Sequence, residues 1–173
     1  MGSVLCPACS SSGVLLDFHV HTIPYFGEVM ESILVCKNCN YRHVDVQILE
    51  NKEPCRYILE VSGEEDMSVR VVRSSMGKIV IPELGVKISP GGDSQGFISN
   101  IEGVLDRVSG AVRTAMHWSD DEKKKMTAEI LLGRIDDIKD GKEKVTVIIE
   151  DTSGNSAIIS DRALEEKMSI THD

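Results

Sequence analysis

Aromatic side chains are scarce in this chain of 173 residues: one Trp, three Tyr and three Phe make up only 4% of it. Hydrophobic residues nevertheless reach 41%, so any core must be built from aliphatic side chains. The length fits one ordinary domain, or a small module fused to a larger one. No stretch approaches the roughly 18 apolar residues of a membrane-spanning helix, and the first residues lack the basic and apolar regions of a secretory signal. We therefore expect a cytoplasmic protein with no membrane partner.

The chain also lacks an excess of positive charge. It has 19 Lys and Arg residues and 28 Asp and Glu residues, which gives a formal net charge of -9. Affinity for phosphate backbones depends on basic surface, so nucleic acid is a disfavoured partner. The net charge does not exclude a local basic patch.

Sequence signatures of enzymes are missing as well. There is no Gly-x-Ser-x-Gly elbow, no phosphate loop and no dinucleotide-binding fingerprint. Residues 60–160 contain a single histidine, His117, whereas a metal enzyme in a β cavity would need several His and carboxylate ligands there. We therefore expect no enzymatic activity.

Four of the five cysteines form two Cys-x-x-Cys pairs, and these carry the strongest signal in the chain. The pairs are Cys6 with Cys9 and Cys36 with Cys39, and 26 residues separate them. Two such turns can offer four thiolates to one Zn²⁺ in a closed, structural site that leaves no open position for catalysis. Two unrelated redox or buried pairs are the alternative. The fifth cysteine, Cys55, is predicted to be a free thiol.

Hydrophobic periodicity predicts strands on both sides of a helical segment. Apolar and polar residues alternate near the N-terminus, where Leu16, Phe18 and Val20 share one face, and this period of two predicts half-buried strands. β-branched runs over residues 56–90 and 144–160 predict further strands. Because the helices interrupt a β region, the strands before and after them should pair with each other, in a β-sandwich or rolled β-helix.

The helical segment is predicted to be a hairpin of two helices at about residues 97–140. Apolar residues recur there at spacings of three and four, and the second helix carries Met126, Ile130, Leu131, Ile135 and Ile138 at that spacing. We therefore expect these five side chains to form one apolar face. Ser99 with Glu102, and Ser119 with Glu122, are candidate capping boxes.

Two short segments are candidate contact sites. Tyr25 and Phe26 are two of only seven aromatic residues, so they either pack the N-terminal module onto the rest of the chain or contact a partner. The segment 151–156 combines Asp, Ser, Gly and Asn, which is typical of a tight turn. It is either turn chemistry alone or a recognition loop.

A set of short motifs spread over residues 6–160 resembles the Zpr-type zinc-finger domain family. The motifs are Cys6-Pro-x-Cys9, Ile23-Pro-Tyr-Phe-x-Glu28, Cys36-x-x-Cys39-x-Tyr41-Arg42, Val72-Arg73-Ser74, Ile81-Pro82-Glu83, Glu102-Gly103 and Asp151-x-Ser-Gly-Asn-Ser156. The resemblance implies a mainly β fold with an α insertion, in the single-module form of the archaeal members. A zinc ribbon at residues 1–55 would precede a double-stranded β-helix-like domain at 56–173 that carries the helical hairpin.

The resemblance also implies a cofactor and a partner. One structural Zn²⁺ would be held by Cys6, Cys9, Cys36 and Cys39. Eukaryotic members bind translation elongation factor 1-alpha and act as its folding chaperone, so this chain would be a protein-interaction module for that factor or a related GTPase. A nucleic-acid-binding zinc ribbon of the translation or transcription apparatus is the alternative. The sequence does not predict an oligomeric state.

The predicted partner-binding residues come from the candidate segments and from the family motifs. They are Tyr25, Phe26, Arg73, Ser74, Glu83, Asp151, Ser153, Gly154, Asn155 and Ser156.

Overall fold

A computed structural model divides the chain into two compact units, residues 1–51 and 52–173. It describes residues 5–24, 27–49, 52–91, 94 and 96–168, without the side chains of residues 45–47. Cys55 begins the first strand of the second unit, so the division falls slightly before the position expected from the sequence. No helix in the described ranges is long and apolar enough to cross a membrane.

The first unit is a three-stranded antiparallel sheet in the order β1-β2-β3. Its strands are β1 (Val14–Ile23), β2 (Gly27–Cys36) and β3 (Arg42–Ile48). The period of two predicted these strands, but Leu16, Phe18 and Val20 are 44%, 56% and 57% exposed rather than half-buried. A single small sheet has no second layer of its own to cover such a face.

The second unit contains two antiparallel sheets, in the orders β11-β4-β9-β6-β7 and β10-β5-β8. The strands are β4 (Cys55–Val61), β5 (Arg70–Arg73), β6 (Gly77–Ile81), β7 (Val86–Ile88), β8 (Phe97–Asn100), β9 (Val145–Asp151), β10 (Ala157–Ile159) and β11 (Leu164–Lys167). After the helices, β9 pairs with β4 and β6, and β10 pairs with β5. The flanking strands thus pair across the insertion, as predicted.

The two inserted helices form the predicted hairpin. They are α1 (Ile101–His117) and α2 (Glu122–Lys139). Their capping residues are Asn100 and Asp121, whose side chains accept hydrogen bonds from backbone amides of the first turn. The capping boxes expected at Ser99 and Ser119 are therefore wrong, since Ser99 still belongs to β8, where it pairs with Val71.

The core of the second unit is aliphatic and joins both sheets to the helices. Its fully buried members include Leu59, Val61, Val71, Ile79, Ile81, Ile101, Leu105, Ile135, Ile138, Val147 and Ile149. In α2, Ile135 and Ile138 are buried, but Met126 and Ile130 are 65% and 61% exposed. Helical residues turn by about 100° each, which places Met126 on the side of α2 opposite Ile135. The single apolar face predicted for this helix is therefore wrong.

Candidate metal centre and buried polar cluster

Four cysteine sulfurs converge at one end of the first unit. Cys6 Sγ lies 3.7 Å from Cys39 Sγ, and Cys9 Sγ lies 3.7 Å from Cys36 Sγ. All four sulfurs are within 4.8 Å of one another. A tetrahedral Zn²⁺ with bonds of about 2.3 Å to sulfur would separate its ligands by about 3.8 Å. The four cysteines are therefore positioned to bind one metal ion.

Two matching turns bring these sulfurs together. After each Cys-x-x-Cys pair the backbone enters the left-handed region, at Ser10 and Asn40, both with φ 57°. The amide of Ser10 donates to the carbonyl of Cys6 at 2.8 Å, and that of Asn40 donates to the carbonyl of Cys36 at 3.0 Å. Each turn thereby aims two thiols toward the opposite pair. This duplicated geometry is typical of the two knuckles of a zinc ribbon.

Electrostatics at the site favour a bound cation. A hydrogen bond from the Asn38 side chain to Cys9 Sγ lowers the pKa of Cys9 to about 6. At Cys39 the largest single influence, a hydrogen bond with the Tyr41 backbone, lowers the pKa. Cys9, burial, Cys36 and Cys6 together outweigh that bond and raise the pKa to about 12. Four thiols this close ionise together only when a cation balances their charge.

The fifth cysteine takes no part in the metal site. Cys55 is buried in β4, and its thiol donates to the carbonyl of Ser156 at 3.4 Å. Burial is the main cause that raises the pKa of Cys55 to about 11. The thiol is therefore protonated near neutral pH, as a structural buried cysteine is.

A second constellation, the Asp151 cluster, lies inside the second unit. It consists of Ser74, Asp151, Ser153, Asn155 and Ser156. The carboxylate of Asp151 accepts from the hydroxyls of Ser74 and Ser156 at 2.6 Å each, and from the Ser153 hydroxyl at 2.7 Å. Backbone amides of Ser153 and Asn155 donate to it at 2.7 and 3.2 Å. Two motifs far apart in sequence thus meet at one buried carboxylate.

Hydrogen bonding decides the ionisation of this carboxylate. Burial by itself would raise the pKa of Asp151, but the bonds from Ser156, Ser74 and Ser153 outweigh burial and hold that pKa below its usual range. A buried charge is tolerated when donors replace the lost water in this way. The Asp151 cluster therefore joins the β9–β10 turn to the residues after β5.

Arg73 extends this polar region from the end of β5. Its Nε donates to the carbonyl of Gly77 at 2.8 Å, and its Nη2 donates to the hydroxyl of Ser94 at 3.0 Å. The guanidinium carbon also lies 5.6 Å from the centre of the Phe97 ring. Burial lowers the pKa of Arg73. The side chain thus ties β5 to β6 and to the segment before β8.

Burial changes the interpretation of most of the predicted partner-binding residues. Relative exposure is 4% or less for Arg73, Ser74, Asp151, Asn155 and Ser156. Side chains this enclosed are not available to a partner in this conformation. Their shared hydrogen bonds support the turn-chemistry interpretation of residues 151–156 over the recognition loop.

The other predicted contact residues are less buried than these five or lie outside the described residues. Ser153 and Gly154 are half-buried at the turn. Glu83 is exposed and elsewhere, where its carboxylate accepts from the amide and hydroxyl of Thr146 at 3.0 and 2.8 Å. Tyr25 and Phe26 lie outside the described residues.

Two exposed apolar features escaped the sequence-based prediction. One is the row formed by Leu16, Phe18 and Val20 on β1. The other is the end of the helical hairpin, where Trp118 is 80% exposed. Alternation and helical spacing predict which apolar residues share a face. Neither pattern shows whether that face is buried or exposed to solvent.

Two family models match this chain, one in each part of it. The ZPR1 zinc-finger domain matches residues 3–53, and the ZPR1 jelly-roll domain matches residues 65–172. An uncharacterized ZPR1-like protein of Methanocaldococcus jannaschii is 47% identical over 165 residues, which cover 95% of this chain and 83% of the relative. A ZPR1-like protein of Pyrococcus horikoshii is 44% identical over 167 residues, or 94% of this chain and 75% of the relative.

Eukaryotic relatives are longer and more distant. The zinc finger chaperone zpr1 of Schizosaccharomyces pombe is 27% identical over 158 residues, which cover 89% of this chain but only 34% of the relative. The two domain matches follow each other along the chain in the order of its two compact units. With a four-cysteine metal site in the first unit and a jelly-roll domain with a helical hairpin in the second, this chain belongs to the ZPR1 zinc-finger family.

Proposed function

We propose that this chain is a metal-dependent protein-interaction module that binds or chaperones translation elongation factor 1-alpha, or a related translational GTPase. Support comes from the family, because the fission yeast relative is named a zinc finger chaperone and the family resemblance implies this factor as the partner. The observation that carries the proposal is the exposed apolar face of β1, formed by Leu16, Phe18 and Val20.

The apolar face of β1 has the character of a protein-binding surface. Leu16, Phe18 and Val20 project from an edge strand of the sheet, and each is at least 44% exposed. The strand register places Leu34 opposite Leu16 and Met30 opposite Val20, so β2 continues the same face. Contiguous exposed apolar side chains of this kind mark interaction sites. A chaperone needs such a surface to hold apolar parts of its client.

The metal site stabilises the sheet that carries this face. Val14, at the start of β1, pairs with Cys36, which ends β2 and belongs to the metal site. Apart from Cys6 and Cys36, the only buried hydrophobic residue in the described part of the first unit is Val29. A sheet with so little core depends on its metal for stability. Metal loss should therefore abolish partner binding through β1.

Binding of purified elongation factor 1-alpha in nucleotide-free, GDP and GTP forms tests the proposal. We expect the chain to bind at least one form. Phe18→Ser should weaken that binding by about tenfold, whereas Leu164→Ser should not, although both side chains are 56% exposed. Cys36→Ser should abolish it, and Cys55→Ser should leave it intact. No binding in any nucleotide state would refute the proposed partner.

The charges of the first unit do not favour the nucleic-acid alternative. In residues 5–49 the basic residues are Lys37 and Arg42, and the acidic ones are Asp17, Glu28, Glu31 and Asp45. A zinc ion with four thiolates would add about two negative charges. We expect no salt-dependent RNA binding, and a steep salt slope would instead support the nucleic-acid alternative.

A further inference from the structure

An apolar groove of about 410 Å³ lies between α1 and α2 near the loop that joins them. Its lining includes Val112 and Met116 from α1, and Ala128 and Leu131 from α2. Val112 and Leu131 also pack against the core of the second unit, so the floor of the groove is anchored to a rigid interior. The lining of α2 runs from Lys123 to Leu131, about 12 Å along the helix axis.

The rim of this groove is positively charged. Lys123 and Lys124 line it, and no acidic residue does. Within the described ranges, neither lysine has a carboxylate at ion-pair distance, whereas the adjacent Lys125 pairs with Glu122 at 2.8 Å. The nearby Asp121 is occupied with capping α2. The groove therefore presents two lysines without carboxylate partners among the described residues, although the chain has a net charge of -9.

The only tryptophan of the chain is at the same end of the hairpin. Trp118 follows the last residue of α1 and stays 80% exposed, with His117 edge-on to its ring at 5.7 Å. Tryptophan is one of the residue types enriched among the residues that contribute most binding energy at protein interfaces. Its exposure beside an apolar groove indicates a binding surface rather than an isolated surface residue.

We propose that the groove binds an amphipathic helix of a partner, with acidic side chains flanking its apolar ridge. Two antiparallel helices offer a channel into which the ridge of a third helix fits. Carboxylates beside that ridge would meet Lys123 and Lys124, while its apolar side chains would contact Met116 and Leu131. A second copy of the chain is disfavoured, since it would bring another pair of lysines to the rim. This inference concerns the helical hairpin and does not depend on the elongation factor.

Model peptides test the inference with Trp118 fluorescence, which reports on this end of the hairpin alone. One peptide is a tryptophan-free amphipathic helix of roughly five turns, with leucines on one face and glutamates beside them. Its twin carries lysines in place of the glutamates. We expect the glutamate peptide to bind about tenfold more tightly than its twin, as two exposed ion pairs would provide.

Variants of the hairpin distinguish peptide binding in the groove from binding elsewhere on the surface. Met116→Gln should weaken peptide binding, whereas Met126→Gln should not, because Met126 is exposed outside the lining. The double variant Lys123→Glu and Lys124→Glu should invert the preference between the two peptides. The control double variant Lys87→Glu and Lys144→Glu changes the net charge by the same amount at two exposed residues outside the groove. It should leave the preference for the glutamate peptide unchanged.

Three results would overturn the inference. The first is equal affinity for the two peptides, and the second is an equal effect of Met116→Gln and Met126→Gln. The third is a dimer in sedimentation experiments that Met116→Gln dissociates, since a second copy would then cover the groove.

Discussion

At the scale of single residues, Asp151 illustrates how the second unit stabilises a charge in its interior. The carboxylate is fully buried, yet hydrogen bonds from Ser156, Ser74 and Ser153 outweigh burial and lower its pKa. In the unfolded chain an aspartate has a pKa of about 3.9. The unfolded state therefore binds a proton at higher pH than the folded state. The stability contributed by Asp151 is present above about pH 4 and is lost as the pH falls through the lowered folded value.

Asp151→Asn should remove this pH-dependent contribution. Near neutral pH, we expect the free energy of unfolding to fall by roughly 3 kcal/mol, since buried donors lose a charged acceptor. At about pH 3 the difference from the unchanged chain should shrink, because the aspartate of the unfolded chain is then largely protonated and the contribution of Asp151 to stability is falling. Urea unfolding followed by circular dichroism at the helix band measures it, since both helices belong to the second unit.

Asp161→Asn is the matched control for this substitution. Asp161 is exposed and makes no ion pair with the described residues. It should change stability by less than about 0.5 kcal/mol. A loss in Asp151→Asn that is the same at both pH values would contradict the role given to the ionised carboxylate.

At the scale of elements, the β9–β10 turn depends on one glycine. Gly154 has φ 69°, and a Cβ atom there would lie 2.2 Å from the carbonyl oxygen of Glu53. The approach is between two backbone segments, so no flexible side chain can move aside. The backbone amide of Lys52 also donates to the carbonyl of Ser153 at 3.0 Å, which holds the two segments together.

Gly154→Ala should therefore destabilise the second unit by more than about 1 kcal/mol. The same substitution in α1, Gly110→Ala, should stabilise it by about 0.5 to 1 kcal/mol, because a helix interior favours alanine. A Cβ atom at Gly110 would meet no atom within 4 Å. Thermal unfolding of both variants compares the effects, and a neutral Gly154→Ala would show that the turn can relax away from Glu53.

At the scale of the whole molecule, the two compact units are stabilised by different means. The second has an aliphatic core that runs through both sheets and the helical hairpin. The first has three buried hydrophobic residues in its described part, and two of them are the metal-site cysteines Cys6 and Cys36. Removal of metal should therefore act on the first unit far more than on the second.

Hydrogen exchange with and without a zinc chelator measures this difference. We expect the amides of β1–β3 to lose protection on chelation, whereas those of β4–β11 and both helices keep it. Restoring zinc should restore protection in the first unit. Loss of protection throughout the chain would show instead that the two units unfold as one cooperative structure.

Features that depend on local pattern could be predicted from the residues alone. The spacing of Cys6, Cys9, Cys36 and Cys39 predicted the metal site, since a knuckle is a local turn whose geometry the residues between its two cysteines set. Alternation and helical periodicity predicted the strands and the hairpin, and the interrupted β pattern predicted that strands would pair across it.

Which side chains are covered, in contrast, depends on how the elements pack in three dimensions. Arg73 and Asp151 were predicted to be surface residues, but both are buried. Asp151 lies between β4 and β6, which both pair with β9, and Arg73 is held by Gly77 and Ser94. Phe18 and Met126 were predicted to be covered, but no element in their own unit packs over them. Periodicity specifies which residues share a face, whereas burial depends on whether another layer packs against that face.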